Sequence, residues 1–106
     1  MADWLMNTRR LADGTVAIEI RGEIDVGSAQ QLRSTLIDTA TNVRPVRIVV
    51  DMLHVTFVDS TGIGALAAGQ NAARSVGVGF QVTNPAAFVR QQLRMMGLTE
   101  AFGVQD

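Results

Sequence analysis

Apolar and polar residues alternate in three stretches of the chain, and each alternation predicts a β-strand. The clearest stretch is Thr15–Arg21, in which the even positions from 16 to 20 hold Val or Ile. The same period of two recurs in Val46–Asp51 and in Val78–Thr83. Because each stretch has one apolar face and one mixed face, we predict a β-sheet whose helices gather mainly on one side.

Between these strands, apolar residues return every three or four positions, which predicts three amphipathic helices. Ser28 is the predicted N-cap of the first helix, with Gln31 completing a capping box. Asp59 or Ser60 caps the second helix, and Asn84-Pro85 supplies a cap and a first residue for the third. The residues predicted to face the core are Ala29, Leu32, Leu36, Ala40, Ile63, Leu66, Ala67, Gln70, Ala73, Phe88, Val89, Gln92, Leu93 and Met96.

The two ends of the chain are less regular. Leu5–Ala12 is a candidate strand, and Asp13-Gly14 predicts a two-residue type I′ turn that joins it to the next strand as a hairpin. Phe102–Val104 is a candidate last strand. Helical crossovers of the lengths found here make the later strands parallel. The sequence therefore predicts an α/β domain with an N-terminal hairpin and a mixed, mostly parallel sheet.

Length and composition limit the classes of protein to which the chain can belong. Its 106 residues and 47% hydrophobic content predict one domain, residues 1–106, with its own core. No apolar run approaches the ~20 residues that cross a bilayer, and no secretory signal or cysteine is present, so we expect a cytoplasmic protein without disulfides. With a net charge of −1 and nine scattered arginines, we expect neither a nucleic-acid surface nor a membrane partner.

The most informative segment is the hexapeptide Asp59-Ser60-Thr61-Gly62-Ile63-Gly64. It follows the strand Val46–Asp51 and a connector, Leu53–Val58, and it opens the second helix, where free N–H groups favour an anion. A serine at this place is explained by N-capping alone, which is worth on the order of 1 kcal/mol. Capping does not explain two glycines in the first helical turns, where each costs up to about 1 kcal/mol. We interpret them as making room for the close approach of a partner to Ser60.

Two enzymatic interpretations of this segment do not fit the sequence. A nucleotide loop of the Walker type requires a lysine, which the chain lacks, and the Gly-x-Gly-x-x-Gly fingerprint fails at Ala67. A nucleophile elbow requires glycine two residues before the serine, where the chain has Val58. The single histidine, His54, lies in the connector, and no feature of the sequence places it against Ser60. We therefore predict no catalytic residues.

Three carboxylates, those of Glu23, Asp25 and Asp59, flank loops that we expect near one end of the sheet. Each is explained by a solvated loop or a helix cap. Without His or Cys companions they suit at best a hard cation such as Mg²⁺, and we predict neither a resident metal nor a cofactor. Beside a phosphoryl-accepting serine, they can orient its hydroxyl or hold the metal of an incoming ATP. We expect Asp25 and Asp59 to tune phosphoryl transfer or partner contact, and not to hold the fold.

Three elements, in this order and spacing, resemble the STAS domain: Gly22-Glu23-Ile24-Asp25, the hexapeptide at 59–64, and Asn84-Pro85 with Gly97-Leu98. More narrowly, they look like the anti-anti-sigma factors, the anti-sigma factor antagonists of bacterial partner-switching systems. The resemblance implies that Ser60 is the phosphorylated residue, and that Asp25 and Asp59 match the family's acidic site residues. It also implies partner-binding or phosphorylation-supporting roles for Glu23, Thr61, Gly62, Ile63 and Gly64.

The resemblance implies a regulatory protein rather than an enzyme. The unphosphorylated domain is expected to bind an anti-sigma factor that is a serine kinase of the ATPase fold, and so to release a sigma factor for transcription, as in a stress response. Phosphorylation of Ser60 is expected to break this complex, and a PPM-type phosphatase to restore it. Two other classes stay open: a STAS scaffold or transporter-associated subunit, and a small-molecule or nucleotide-binding module.

Overall fold

The computed structural model of the protein describes residues 4–104, and its centre is one four-stranded sheet. The strands, in both chain order and spatial order, are β1 (Trp4–Arg10), β2 (Thr15–Ile24), β3 (Arg47–Val58) and β4 (Gly79–Thr83). β1 pairs with β2 in the antiparallel direction, and the other two pairings are parallel. The predicted hairpin and mixed, mostly parallel sheet are confirmed.

Helices connect the parallel strands and follow the last one. They are α1 (Val26–Asp38), which runs into a π-helical turn (Thr39–Val43), then α2 (Ser60–Ser75) and α3 (Ala87–Met95). None of the helices in residues 4–104 is both long and apolar enough to cross a membrane. The chain is therefore an α/β domain, and its element order as far as α3 is the one that the sequence predicts.

The hydrophobic core lies on one face of the sheet, beneath the helices. Along β2, positions 16, 18 and 20 are buried, whereas positions 17 and 19 between them are half-buried. The buried residues of α1, α2 and α3 belong to the same cluster as these strand residues. The predicted one-sided coverage is thus confirmed, since a sheet covered on both faces would bury every position of its central strands.

The predicted connector at Leu53–Val58 is wrong, because β3 continues without interruption to Val58. In the second half of β3 the buried residues are Met52, Val55 and Val58, a spacing of three that does not match the strand period of two. Two register shifts between β2 and β3 absorb the extra residues, so that the buried side chains still reach the core. Alternation alone could not identify a strand with such irregularities.

The turn between β1 and β2 also differs from its prediction. It spans residues 11–14, and the Leu11 N–H donates to the Thr15 carbonyl at 2.8 Å. Of its residues only Gly14 has a positive φ, +87°, so it is not the predicted two-residue type I′ turn. The carboxylate of Asp13 accepts from the Thr15 N–H at 3.0 Å, and this local bond favours the longer turn.

The third helix starts later than predicted, and fewer of its residues are buried in the core. Ala86 is its N-cap, while Asn84 has a φ of +56° and turns the chain instead of capping a helix. The two predicted core residues at its ends are exposed, Phe88 by 42% and Met96 by 53%. Its core contact is made by the predicted residues Val89 and Leu93.

The segment 102–104 is a turn and not the predicted last strand. It still contributes to the core, because Phe102 is buried and its ring lies edge-on to that of Phe80 at 6.1 Å. The Val82 N–H donates a hydrogen bond to the Phe102 carbonyl at 2.9 Å, which joins this segment to β4.

Candidate functional site

The parallel strands β2 and β3 end side by side, at the end of the sheet where α1 and α2 begin. Ile24 pairs with Val58 at the end of the two strands, and the Asp59 N–H donates to the Ile24 carbonyl at 3.1 Å. Asp25 and Asp59, the next residues along the chain, are the N-caps of α1 and α2. The structure thus brings these two carboxylates to one end of the sheet.

The carboxylate of Asp59 accepts hydrogen bonds from the first turn of α2. Its Oδ1 accepts from the Thr61 N–H at 2.9 Å and from the Gly62 N–H at 3.1 Å. The Thr61 hydroxyl donates to the same oxygen. These bonds favour the ionised form, so the Thr61 side chain first, and then the Gly62 N–H, hold the pKa of Asp59 below its ordinary value of 3.8.

Ser60 is the first residue of α2, and its side chain is exposed. Within residues 4–104, no hydrogen bond engages its hydroxyl, whereas the neighbouring Thr61 hydroxyl is bound to Asp59. The choice of cap between Ser60 and Asp59 is settled in favour of Asp59. The sequence predicts free N–H groups here for an anion, but two of them already donate to the Asp59 carboxylate.

Asp25 forms the equivalent cap of α1, with Ser28 as its partner. The Asp25 carboxylate accepts from the Gly27 N–H at 2.9 Å, and the Asp25 N–H donates to Ser28 Oγ at 3.0 Å. The Ser28 hydroxyl in turn donates to the carbonyl of Glu23 at 2.9 Å. The predicted cap at Ser28 with Gln31 is therefore wrong, because the N-cap of α1 is three residues earlier, at Asp25, and Ser28 is the buried N3 residue.

The capping geometry also corrects the expectation that Asp25 and Asp59 do not hold the fold. Both carboxylates satisfy backbone donors that would otherwise lack a partner in their helices. Replacing either by alanine removes a helix cap and lowers stability. Glu23 differs, since its exposed side chain caps no helix and its Cα pairs with that of Phe57 in the sheet.

The two glycines of the hexapeptide have different surroundings. A Cβ on Gly62 would stand 2.7 Å from Ile24 Cγ2 and 2.9 Å from both the Ile24 carbonyl oxygen and Val58 Cγ1. Gly62 is thus required where α2 crosses the end of β2, and the sequence-based interpretation of it as space for a partner is wrong. A Cβ on Gly64 would meet nothing within 4 Å, and the residue is exposed. Only Gly64 leaves open surface.

Ile63 and the histidine lie outside this exposed surface. Ile63 is buried in the core, where it holds the first turn of α2 against the sheet. His54 lies within β3 opposite Arg21, and in residues 4–104 no hydrogen bond joins it to Ser60. Over the same residues, no group of three or more His, Asp or Glu side chains is arranged to hold a metal ion.

Comparison with known proteins identifies the family of this fold and site. A family model described as "Mlab, STAS domain" matches residues 7–105 of the chain. The chain belongs to the STAS domain family. The resemblance implied by Gly22–Asp25, the hexapeptide at 59–64 and the C-terminal motifs is confirmed at this level.

Solved structures with a similar fold include anti-sigma factor antagonists and a sulfate transporter family protein. An anti-sigma factor antagonist from Mycobacterium paratuberculosis is 25% identical, with a TM-score of 0.84 over 95% of this chain and 84% of that one. The Bacillus cell fate determinant SpoIIAA, in its phosphorylated form, is 20% identical, with a TM-score of 0.77 over 96% and 92%. A sulfate transporter family protein from Wolinella succinogenes is 25% identical, with a TM-score of 0.76 over 91% and 80%.

A groove of about 400 Å³ runs between the first turns of α1 and α2 in this STAS domain. Thr61 and Gly64 line it on one side, and Val26 and Arg33 on the other. Val26 is 74% exposed although it is apolar. Val26 and Arg33 were not predicted as site residues, because only the packing of α1 against α2 brings them beside the hexapeptide.

The Asp59 cap predicts a pH dependence of this STAS domain's stability. Because folding lowers the pKa of Asp59, its contribution to stability is present above the ordinary pKa of 3.8 and is lost as pH falls through the folded pKa. Asparagine caps as well as aspartate but does not ionise in this range. We expect the stability difference between wild type and Asp59→Asn to shrink below pH 4 in thermal melts from pH 2 to 7. A constant difference across that range would show that the cap bonds do not depend on charge.

Proposed function

We propose that this STAS domain is an anti-sigma factor antagonist controlled by phosphorylation of Ser60. Its unphosphorylated form binds an anti-sigma factor that is a serine kinase, and so frees a sigma factor. Phosphorylation releases the domain from the kinase, and a PPM-type phosphatase reverses the reaction. The observation that carries the proposal is the exposed Ser60 hydroxyl, unengaged within residues 4–104, at the end of β3 beside a Thr61 hydroxyl that Asp59 holds.

The phosphoryl transfer itself needs only a reachable hydroxyl on this chain. Ser60 Oγ attacks the γ-phosphorus of ATP on the kinase, the bond to the β–γ bridging oxygen breaks, the hydroxyl proton passes to a base or water, and ADP leaves. Thr61 is the less suitable acceptor, because its hydroxyl donates to the Asp59 carboxylate. The contacts of the two adjacent hydroxyls thus favour Ser60 as the acceptor.

The local electrostatics support a switch that acts at the surface. A phosphate on Ser60 adds about −1.5 to −2 charges beside the Asp59 carboxylate. The N–H groups of Thr61 and Gly62 already serve that carboxylate, so they do not neutralise the phosphate without displacing it. The new charge therefore points to solvent or to a bound partner, and a partner that packs against a neutral hydroxyl must desolvate it or separate.

The surface that receives the kinase is proposed to include the groove between α1 and α2. It borders Thr61 and Gly64, and the exposed apolar side chain of Val26 is suited to a partner contact. The carboxylates of Asp25 and Glu23 lie at the same end of the sheet, and we propose that they tune partner contact beside their structural roles. Ile63 and Gly62 act indirectly, since they fix the position of the first turn of α2.

A second candidate function is that of a STAS subunit associated with a transporter. It is favoured by the similarity to a sulfate transporter family protein at 25% identity. In that case Ser60 is part of a contact with a transport protein and is not phosphorylated by an anti-sigma kinase. The two functions differ in whether ATP and a serine kinase modify the domain.

Incubation with ATP and candidate anti-sigma kinases, followed by mass mapping, tests the proposal directly. Wild type is expected to incorporate one phosphate on Ser60, and Ser60→Ala none, while both keep their fold. The Ala variant is expected to stay bound to the kinase when ATP is added. Thr61→Val is the matched control, because it removes the other hydroxyl and should still be phosphorylated. Normal phosphate incorporation by Ser60→Ala would overturn the assignment.

A further inference from the structure

A second groove lies at the end of the sheet opposite to Ser60. Its volume is about 250 Å³, and its walls include Arg10, Leu11, Val43, Arg44, Pro45 and Val46. These residues come from the end of β1, the following turn, and the loop that leads from the π-helical turn into β3. The whole length of β3, 12 residues, separates this groove from the hexapeptide at 59–64.

Around this groove, apolar side chains are exposed that no other part of residues 4–104 covers. Val46 is 66% exposed, Val43 40% and Leu11 39%. These side chains come from two separate loops. A hydrogen bond from the Val46 N–H to the Gly14 carbonyl, at 2.9 Å, joins the two loops. Apolar residues that gather in a concave site, and are not scattered singly, are typical of a protein contact.

The charges around the groove are mainly positive. Arg10 and Arg44 line it, and Arg47 stands at the start of β3 next to Val46. The opposing carboxylate is that of Asp13, which lies 3.9 Å from the guanidinium of Arg47. Of the described residues that line the groove, two are arginines and none is acidic. The planar guanidinium group suits paired contact with a carboxylate.

Arg44 occupies a conformation that its residue type disfavours. It ends the π-helical turn with φ 51° and ψ 58°, and its N–H donates to the Thr39 carbonyl at 2.9 Å. This left-handed position at a helix end is usually taken by glycine, which adopts it without strain. An arginine here is less stable than glycine would be, which points to a use for its side chain beyond folding.

We propose that this groove binds an acidic segment of a partner protein, with carboxylates on Arg10 and Arg44 and apolar side chains on Val43 and Val46. A membrane is the less suitable occupant, since the site is concave and has fewer basic residues than the four to eight usual for anionic lipid. Because the groove lies away from Ser60, it adds a second contact that is independent of the proposed phosphorylation.

Selection from a random 12-residue peptide library, displayed on phage, tests this inference with the full chain as target. The enriched peptides are expected to carry net negative charge together with apolar residues. A synthetic copy should shift the backbone amide signals of residues 10–16 and 43–47, and its affinity should fall when salt is raised. Absence of enrichment, or enrichment of neutral or basic peptides, would overturn the proposal.

Two variants distinguish a use of the Arg44 side chain from a structural role. Arg44→Gly relieves the backbone strain, so we expect it to melt no lower than wild type and to bind the selected peptide at least ten-fold more weakly. Arg94→Ala, which removes an exposed arginine of α3, should bind as wild type does. Unchanged binding by Arg44→Gly, an amide footprint at residues 59–65, or binding to phosphatidylserine vesicles through the same groove without peptide binding would refute the inference.

Discussion

Replacing Gly62 by alanine is expected to destabilise the protein, whereas the same change at Gly64 is expected to stabilise it. The new Cβ at Gly62 would be 2.7–2.9 Å from Ile24 and Val58, and one of the atoms it meets is a backbone oxygen that cannot move aside alone. Overpacking of this kind costs typically about 1–3 kcal/mol. At Gly64 the Cβ meets nothing, so the intrinsic helix preference of alanine should add up to about 1 kcal/mol.

The two variants form a matched pair, because both place alanine in the first turns of the same helix. Their difference in unfolding free energy isolates the contact of α2 with the end of β2, and thermal melts should separate them by roughly 5–15 °C. In a separate binding measurement, Gly64→Ala should bind the anti-sigma kinase more weakly than wild type in spite of its higher stability. Equal melting temperatures would show that the close approach at Gly62 relaxes freely, and unchanged kinase affinity of Gly64→Ala would remove Gly64 from the proposed partner surface.

Phosphorylation of Ser60 is expected to weaken binding to the kinase by at least about 30-fold, which corresponds to about 2 kcal/mol. A buried charge without a partner costs about 2–5 kcal/mol at a protein interface. The domain itself offsets little of the phosphate's charge, because the N–H groups that could otherwise bind the phosphate donate to the Asp59 carboxylate. Ser60→Asp carries one charge and less bulk, so its affinity should lie between those of the wild type and the phosphorylated form.

Backbone amide shifts of the free, phosphorylated and Ser60→Asp forms test the mechanism of this switch. We expect shift changes near residues 59–65 and at the adjacent start of α1, with the rest of the sheet unchanged. Ser60→Asn is the control, since it enlarges the side chain without adding charge and should lose less affinity than Ser60→Asp. Shift changes along the length of β3 and β4 would instead indicate a conformational switch.

The capping carboxylates couple the stability of the domain to its proposed regulation. Asp59 holds the first turn of α2 and, at the same time, keeps the Thr61 hydroxyl engaged and two backbone donors occupied. Asp25 has the same role at α1, where Ser28 completes the capping box. Loss of function on mutation of either residue therefore requires a stability measurement beside it. For Asp59 the asparagine variant provides that comparison, because it retains the cap and removes the charge.

The segments with a regular period were predictable, and the irregular ones were not. The alternation in Thr15–Arg21 identified the buried face of β2, because side chains in a strand alternate strictly between its two faces. The second half of β3 was not predictable, because the apolar residues of 52–58 do not alternate. This segment is a strand through its pairing with β2, in which register shifts accommodate the irregular spacing. Ser28 fits two capping patterns, and the choice between them depends on where β2 ends.

By itself the sequence determined the α/β class, the single-sided core, and the hexapeptide at the start of α2 as the candidate site, because these follow from local periodicity and residue type. Only the tertiary structure decided the different roles of neighbouring residues within that site. Gly62 is fixed by Ile24 and Gly64 is free, and the Thr61 hydroxyl is engaged while that of Ser60 is exposed. These distinctions depend on atoms that approach from residues distant in the chain or on side-chain orientation, and neither is encoded in the spacing of residue types.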